Sequence, residues 1–306
     1  MSYALLTLEQ VTAMLCIAVI TVIIYKCKLL DKKSSKSFSN LLLMVVNPVL
    51  IFQSFQQEYT TRRLQGFFIT ILLSAAAYAL MIVVTNLMIR KSSGYEMGVE
   101  RFGCIYSNCG FIGIPLVQAV YGTEGVFYLS AFMLVFNIMV WTHGLMLITG
   151  NSNFKQCKEF FKTPMFAAMV LGLLAFFGRI SLPSVPNNVL SMIANMNTPL
   201  AMIVAGMAIA DANILSVLKK KRIYYIAWIK LFVLPILFVL LTAKLPIPIL
   251  IKSTIAFAMA CPTATTGTMF AIRYDKDSEY MAEIFSITTI LSIFTIPIVI
   301  YLIQTF

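Results

Sequence analysis

The residues able to do chemistry in this chain sit where apolar sequence is interrupted. One interruption reads Asn108-Cys109-Gly110-Phe111-Ile112-Gly113-Ile114-Pro115, and another reads Cys261-Pro262-Thr263-Ala264-Thr265-Thr266-Gly267-Thr268. Asn47-Pro48 and Asn197-Thr198-Pro199 break two further apolar runs, and Lys230 stands alone inside a third. An asparagine amide donates to a carboxylate without the desolvation cost of a buried cation. Proline removes a backbone donor and glycine weakens a helix interior. Each interruption therefore starts a new half-helix, whose first N–H groups and positive dipole end suit an anion. The chemistry that these residue types support is anion binding.

Bond-making chemistry lacks its parts. Cys16, Cys27, Cys104, Cys109, Cys157 and Cys261 form no CxxC pair, and the single histidine, His143, has no ligand partners in sequence. A disulfide framework or structural zinc site is not expected. No HExxH, no GxSx motif within an apolar run to accompany His143 and no pair of intramembrane aspartates is present, so an intramembrane enzyme is not expected either. Cys109 and Cys261 occupy similar positions in the two interruptions, which small size explains better than thiol chemistry. His143 reads as an interfacial residue, as do Trp141 and Trp228. Glu279 and Glu283 suit a helix N-terminus.

The elements that must position these residues are membrane helices. Hydrophobic residues make up 60% of the 306-residue chain, charged residues 11%, and the mean hydropathy is +0.89. Soluble domains carry about 25% charged residues, so this surface must face something apolar. The net charge of +11 has no soluble basic domain to hold it, and no nucleic-acid partner is expected. Each crossing needs about 20 apolar residues. Apolar runs fall at 7–25, 38–55, 64–89, 99–120 and 124–149, then at 162–180, 188–210, 223–243, 247–271 and 279–304. They predict an all-α polytopic membrane protein of ten spans. The first run lacks a basic leader segment and a small-residue cleavage site, and reads as a retained span.

Lysine and arginine set the orientation. With the N-terminus outside, the inner loops hold Lys26, Lys28, Lys32, Lys33, Lys36, Arg90, Lys91, Arg101, Lys155, Lys158, Lys162, Lys219–Arg222, Arg273 and Lys276. Outside are Arg62, Arg63, Arg179, Lys244 and Lys252. That asymmetry predicts both termini outside, and it assigns the run Lys219–Arg222 to topology rather than to nucleic-acid or lipid binding.

The two halves echo one another at an offset near 150 residues, pairing Asn47 with Asn197 and the interruption in span 4 with that in span 9. Tyr121-Gly122 and Tyr274-Asp275 form similar exits before spans 5 and 10. Five spans is an odd number, so residues 151–306 enter the membrane opposite to residues 1–150 and the repeats are inverted. Gly/Pro-interrupted spans at matching positions in two inverted halves point to a transporter's central site. Freed backbone groups are tolerated there because they line a cavity or lie within protein.

The segment Asn108 to Leu116, with Ala119-Val120-Tyr121-Gly122 beyond it, resembles the span-4 signature of the auxin efflux carrier family. That family includes plant auxin exporters and bacterial malate or malonate permeases. Cys261-Pro262 through Phe270-Ala271, and Lys230-Leu231-Phe232-Val233-Leu234-Pro235, are similar to further family segments. With no large central hydrophilic loop, the chain looks like the short bacterial branch. The resemblance implies a fold shared with bile-acid/sodium symporters, spans 4 and 9 crossing near the midplane, and a scaffold of spans 1, 2, 6 and 7. Spans 3–5 and 8–10 would move against that scaffold in an elevator-type cycle. A homodimer in the bacterial cytoplasmic membrane is implied as well. Asn108 matches an asparagine that contacts substrate carboxylate in the plant branch. Pro115 and Pro262 match family prolines, while Gly267 stands where the plant pattern has a second proline.

The expected binding set is Asn108, Gly110, Gly113, Pro115, Pro262, Thr263, Thr265, Thr266 and Gly267, joined by Asn47, Asn197 and Pro199 from the scaffold side. For Asn108 the alternative is a helix cap; for the three threonines, back-bonding within their own half-helix; for Asn47 and Asn197, a scaffold kink. Lys230 either snorkels to the surface or compensates the negative half-helix C-termini at the crossing. The expected function is alternating-access transport of a small carboxylate such as malate, malonate or an auxin-like acid, without a resident cofactor or metal. Coupling to protons or the membrane potential is expected ahead of sodium, because neither interruption holds a carboxylate. A sodium symporter and a sensor that binds without transporting are the alternatives.

Overall fold

The computed structural model describes residues 3–91, 94–150, 161–211 and 220–305. Lys155, Cys157, Lys158 and Lys219 lie outside the described residues. The first half comprises α1 (Tyr3–Lys26), α2 (Lys32–Leu41), α3 (Asn47–Ser54), α4 (Thr61–Met88), α5 (Met97–Ile105), α6 (Ile114–Met139) and α7 (Leu145–Thr149). The second comprises α8 (Pro164–Phe177), α9 (Ser184–Asn195), α10 (Asn197–Asp211), α11 (Lys221–Trp228), α12 (Leu234–Thr242), α13 (Ile249–Ala260), α14 (Thr265–Arg273) and α15 (Ser278–Thr305).

Several helices are joined end to end through single π-helical turns: Leu42–Val46, Cys109–Gly113, Val140–Gly144 and Ile229–Val233. Three of the four run into proline, at Pro48, Pro115 and Pro235. The missing proline N–H frees a carbonyl one turn earlier, and a wider turn accommodates the ring. Helix starts follow local rules. Thr60 accepts from Arg63 N–H at the head of α4, and Thr163 accepts from Phe166 N–H at the head of α8, where Pro164 holds the first position. Each such cap stabilises by about 1 kcal/mol.

Five helical stretches are individually long and apolar enough to cross a membrane: Lys33–Ser54, Thr61–Met88, Cys109–Thr149, Ser184–Met207 and Lys221–Thr242. The pair Ser278–Ser292 and Phe294–Ile303, bent by 57°, makes a sixth when taken as one span. Thr12–Lys26, Pro164–Phe177 and Ile249–Ala260 are shorter apolar helices. The count differs from the ten apolar runs because a 41-residue stretch merges two runs across Gly122, the second interruption cuts another back to Ile249–Ala260, and Thr12–Lys26 and Pro164–Phe177 are short among the described residues. Gly122 has φ of 60° and Asp275 has φ of 52°, so both exits predicted from the halves' similarity turn left-handed.

Within the bundle α1 packs along α10, and α3 packs on α8 and α9. A Cβ at Gly206 would lie 2.5 Å from the Ala18 carbonyl oxygen, so the close approach of α10 to α1 requires glycine there. A second group gathers α4, α6, α13 and α15, with α11, α12 and α14 against them. Phe55, Phe67, Phe127 and Phe176 pack edge-on or tilted at centroid distances of 5.2–6.0 Å, joining α3, α4, α6 and α8.

Candidate substrate site at the helix crossing

The interruptions predicted in spans 4 and 9 meet. Between α5 and its π-helical turn lie Tyr106, Ser107 and Asn108; between α13 and α14 lie Cys261 to Ala264. Ser107 and Thr263 form an isolated antiparallel bridge. Asn108 N–H donates to the Pro262 carbonyl at 2.7 Å, and Ala264 N–H donates to the Tyr106 carbonyl at 2.9 Å. Each broken helix thus satisfies the other's exposed backbone, the requirement that a low-dielectric interior imposes.

The side chains divide into those that build the crossing and those that do not. Thr263 is fully buried; its hydroxyl donates to the Gly103 carbonyl at 2.7 Å and its N–H to Thr288 Oγ1 at 3.1 Å. Its hydroxyl bonds across to the other broken helix rather than within its own half-helix, so it helps to join the two. Gly113 lets its π-helical turn pass the other interruption, since a Cβ there would stand 3.3 Å from Cys261 Sγ. Gly267 lies against the Phe102 ring in the same way. Pro115 occupies the first turn of α6, as expected. Pro199 is exposed and is not gathered at the crossing. Thr265 is half-buried, and Thr266 Oγ1 is buried without a hydrogen-bond partner.

Asn108 is the exception. It occupies the capping position of the π-helical turn, yet its side chain makes no capping bond; its backbone carbonyl accepts from Ile112 N–H at 3.1 Å instead. The residue is 6% exposed, and among the described residues no hydrogen bond engages its amide. The capping alternative is therefore not what this geometry shows.

Lys230 sits in the π-helical turn before α12 and is 0% exposed. Its ammonium donates to Ser107 Oγ at 2.5 Å, and that hydroxyl lies 3.4 Å from the Met259 carbonyl near the end of α13. Snorkelling is excluded by this burial. The charge faces the crossing, where two half-helices end.

Asn47 and Asn197 are both fully buried and bonded to each other, Asn197 Nδ2 donating to Asn47 Oδ1. Asn47 Nδ2 donates in turn to the Gly110 carbonyl at 3.0 Å. The π-helical turn Cys109–Gly113 ends with Ile114 N–H on the Cys109 carbonyl. The next donor in register would be residue 115, a proline, so the Gly110 carbonyl is free for Asn47.

Beside the crossing a small cavity of about 50 Å³ is lined by Met14 and Ala18 of α1, Met202 and Ala205 of α10, Ile112 and Leu116, and Thr289, Ser292 and Ile296 of α15. Its walls are almost wholly apolar.

Two features escaped sequence reasoning. Glu100, fully buried in the first turn of α5, receives Arg222 in a two-pronged pair, Nε–Oε1 and Nη2–Oε2 each at 2.8 Å, and Tyr280 OH at 3.0 Å. Lys220 also pairs with Glu283 at 2.6 Å, which raises its pKa above the usual lysine value through the hydrogen bond. The run read as a topology signal therefore also ties α11 to α5 and α15. His143, expected at an interface, is half-buried with Nδ1 2.9 Å from Tyr106 OH. A buried carboxylate's partner and a histidine's tertiary contact leave no local signal.

The profile of the membrane transport protein family matches residues 6–160 and 151–300. An uncharacterized transporter from Methanothermobacter thermautotrophicus is 25% identical over 207 residues. The match covers 62% of this chain and 63% of that relative's length.

Proposed function

Since this chain belongs to the membrane transport protein family, the auxin efflux carrier family, and is a multi-pass membrane protein, we propose that it carries small organic anions by alternating access. The observation that carries the reading is the uncommitted Asn108 amide at a crossing where Ser107, Thr263 and Lys230 are all hydrogen-bonded. A carboxylate would accept from that amide and lie near the positive starts of the two second half-helices. The Lys230 ammonium, held on Ser107, offsets the negative ends of α5 and α13. It fills the place where a monovalent cation would otherwise serve, which favours proton or potential coupling over sodium.

Ten passes follow when the long stretch is divided at Gly122 and residues 97–121 and 249–273 are each taken as one broken pass. The packing of α1 along α10 and of α3 on α8 supports a scaffold of passes 1, 2, 6 and 7. The remaining passes, which include the crossing, would move against it as an elevator. The apolar wall formed by α1, α10 and α15 would receive the hydrocarbon part of the substrate.

Uptake into proteoliposomes tests this. Radiolabelled malate, malonate, lactate and an indole carboxylate are offered under imposed proton, sodium or potential gradients. Accumulation of at least one of them is expected. Saturable binding without flux would replace transport with sensing, and neither binding nor flux of any anion would end the organic-anion reading.

A further inference from the structure

The Asn47–Asn197 pair has a direction. A carbonyl only accepts, so the Gly110 oxygen obliges Asn47 to present its NH₂ group. Asn47 Oδ1 then faces Asn197, which must present its own NH₂. Asn197 Oδ1 is left over, and it is buried with no hydrogen-bond partner. An unmet buried acceptor costs about 1–3 kcal/mol, so its retention calls for an explanation.

The halves supply one. The bridge aligns Ser107 with Thr263. Three residues beyond Ser107 stands Gly110, whose carbonyl Asn47 holds; three beyond Thr263 stands Thr266. The half-helix α14 has no proline to free a carbonyl there, because the position matching Pro115 is Ala271. What it offers instead is the Thr266 hydroxyl, a buried donor that also lacks a partner. One orphan is thus an acceptor on the scaffold side, and the other is a donor at the matching turn of the opposite helix. In the present arrangement the π-helical turn Cys109–Gly113 packs on α10, whereas α14 packs on α5, α7 and α15.

We infer that Asn47 and Asn197 are positioning residues for transport that form a two-ended latch. The NH₂ end holds the Gly110 carbonyl in the state seen here, and the Asn197 carbonyl end receives the Thr266 hydroxyl in the opposite state. The bond between the two amides persists throughout, so each state satisfies one end and leaves the other unmet. Neither state is then favoured by more than the difference between two similar hydrogen bonds, which keeps both within reach. This inference rests on the alternating-access reading above.

A conformational readout tests it without a known substrate. In full-length protein with Cys16, Cys27 and Cys157 replaced by serine, Ala205→Cys places a reporter in the cavity wall of α10. Right-side-out and inside-out vesicles are labelled with a membrane-impermeant maleimide, and the ratio of the two rates follows the populations. Loss of one hydrogen bond of about 1 kcal/mol shifts that ratio about fivefold. Asn47→Ala is expected to shift it one way and Thr266→Val the other, with Thr266→Ser restoring the parent value. Shifts in the same direction, or an unmoved ratio for the near-isosteric Thr266→Val, overturn the latch. A parent protein labelled from only one face overturns alternating access and the latch together. Labelling from both faces with unmoved ratios overturns the latch alone.

Discussion

Ser107 and Thr263 treat each other's helices reciprocally. Thr263 Oγ1 donates to the Gly103 carbonyl at 2.7 Å, and Ser107 Oγ donates to the Met259 carbonyl at 3.4 Å. Each carbonyl lies four residues before the opposite partner of the bridge, so each hydroxyl takes the helix end that the other's chain leaves open. The longer of the two contacts is the one whose hydroxyl also accepts from Lys230. One repeat thus carries a charge into an otherwise two-fold arrangement.

Lys230→Met keeps the length of the side chain and removes its charge. A hydrogen bond from a charged group contributes about 1.5–3 kcal/mol, so transport should fall at least about tenfold while membrane insertion and elution as a folded species persist. Uptake together with size-exclusion profiles in detergent decides it; unchanged uptake would remove Lys230 from the mechanism.

Asn108 separates binding from capping. Because its amide makes no hydrogen bond with the described residues, Asn108→Ala should leave the thermal midpoint within about 2 °C of the parent. The same variant should raise the KM for the transported anion about tenfold, and Asn108→Asp, which sets a like charge against the substrate, should raise it further. A fallen midpoint with an unchanged KM would return Asn108 to a structural role.

Glu100 and Arg222 should behave as a buried ion pair. Removing one partner costs about 3–5 kcal/mol because it strands the other charge. Glu100→Gln and Arg222→Met should each lower the thermal midpoint in detergent, and the double variant should recover much of the loss. Additive losses would show that the two residues do not act on one another.

The Lys220–Glu283 pair sets an alkaline response. Its hydrogen bond to Glu283 raises the Lys220 pKa in the folded state. The stabilisation is therefore fully present below the ordinary lysine pKa of 10.5 and is lost as pH climbs through the raised folded value. The gain is small, because the lysine side chain is 39% exposed and screened by solvent. Thermal midpoints of the parent and of Glu283→Gln should differ at neutral pH and converge above that range; a constant difference would contradict the pairing.

Much of the site was legible because its signals are local. Proline lacks an N–H wherever it stands, so Pro115 and Pro262 announced broken helices. Asn47 and Asn197, matched in the sequence at an offset near 150, lie bonded to each other 150 residues apart. Tertiary structure alone decided what each polar group touches. Lys230 meets Ser107 across 123 residues, Arg222 meets Glu100 across 122, and Thr263 meets Gly103 across 160. Residue type limits what such a group can bond, but its partner depends on which helices pack together. For that reason the sequence could list Asn108 and Thr263 as equals, while packing spent Thr263 on the crossing and left the Asn108 amide uncommitted.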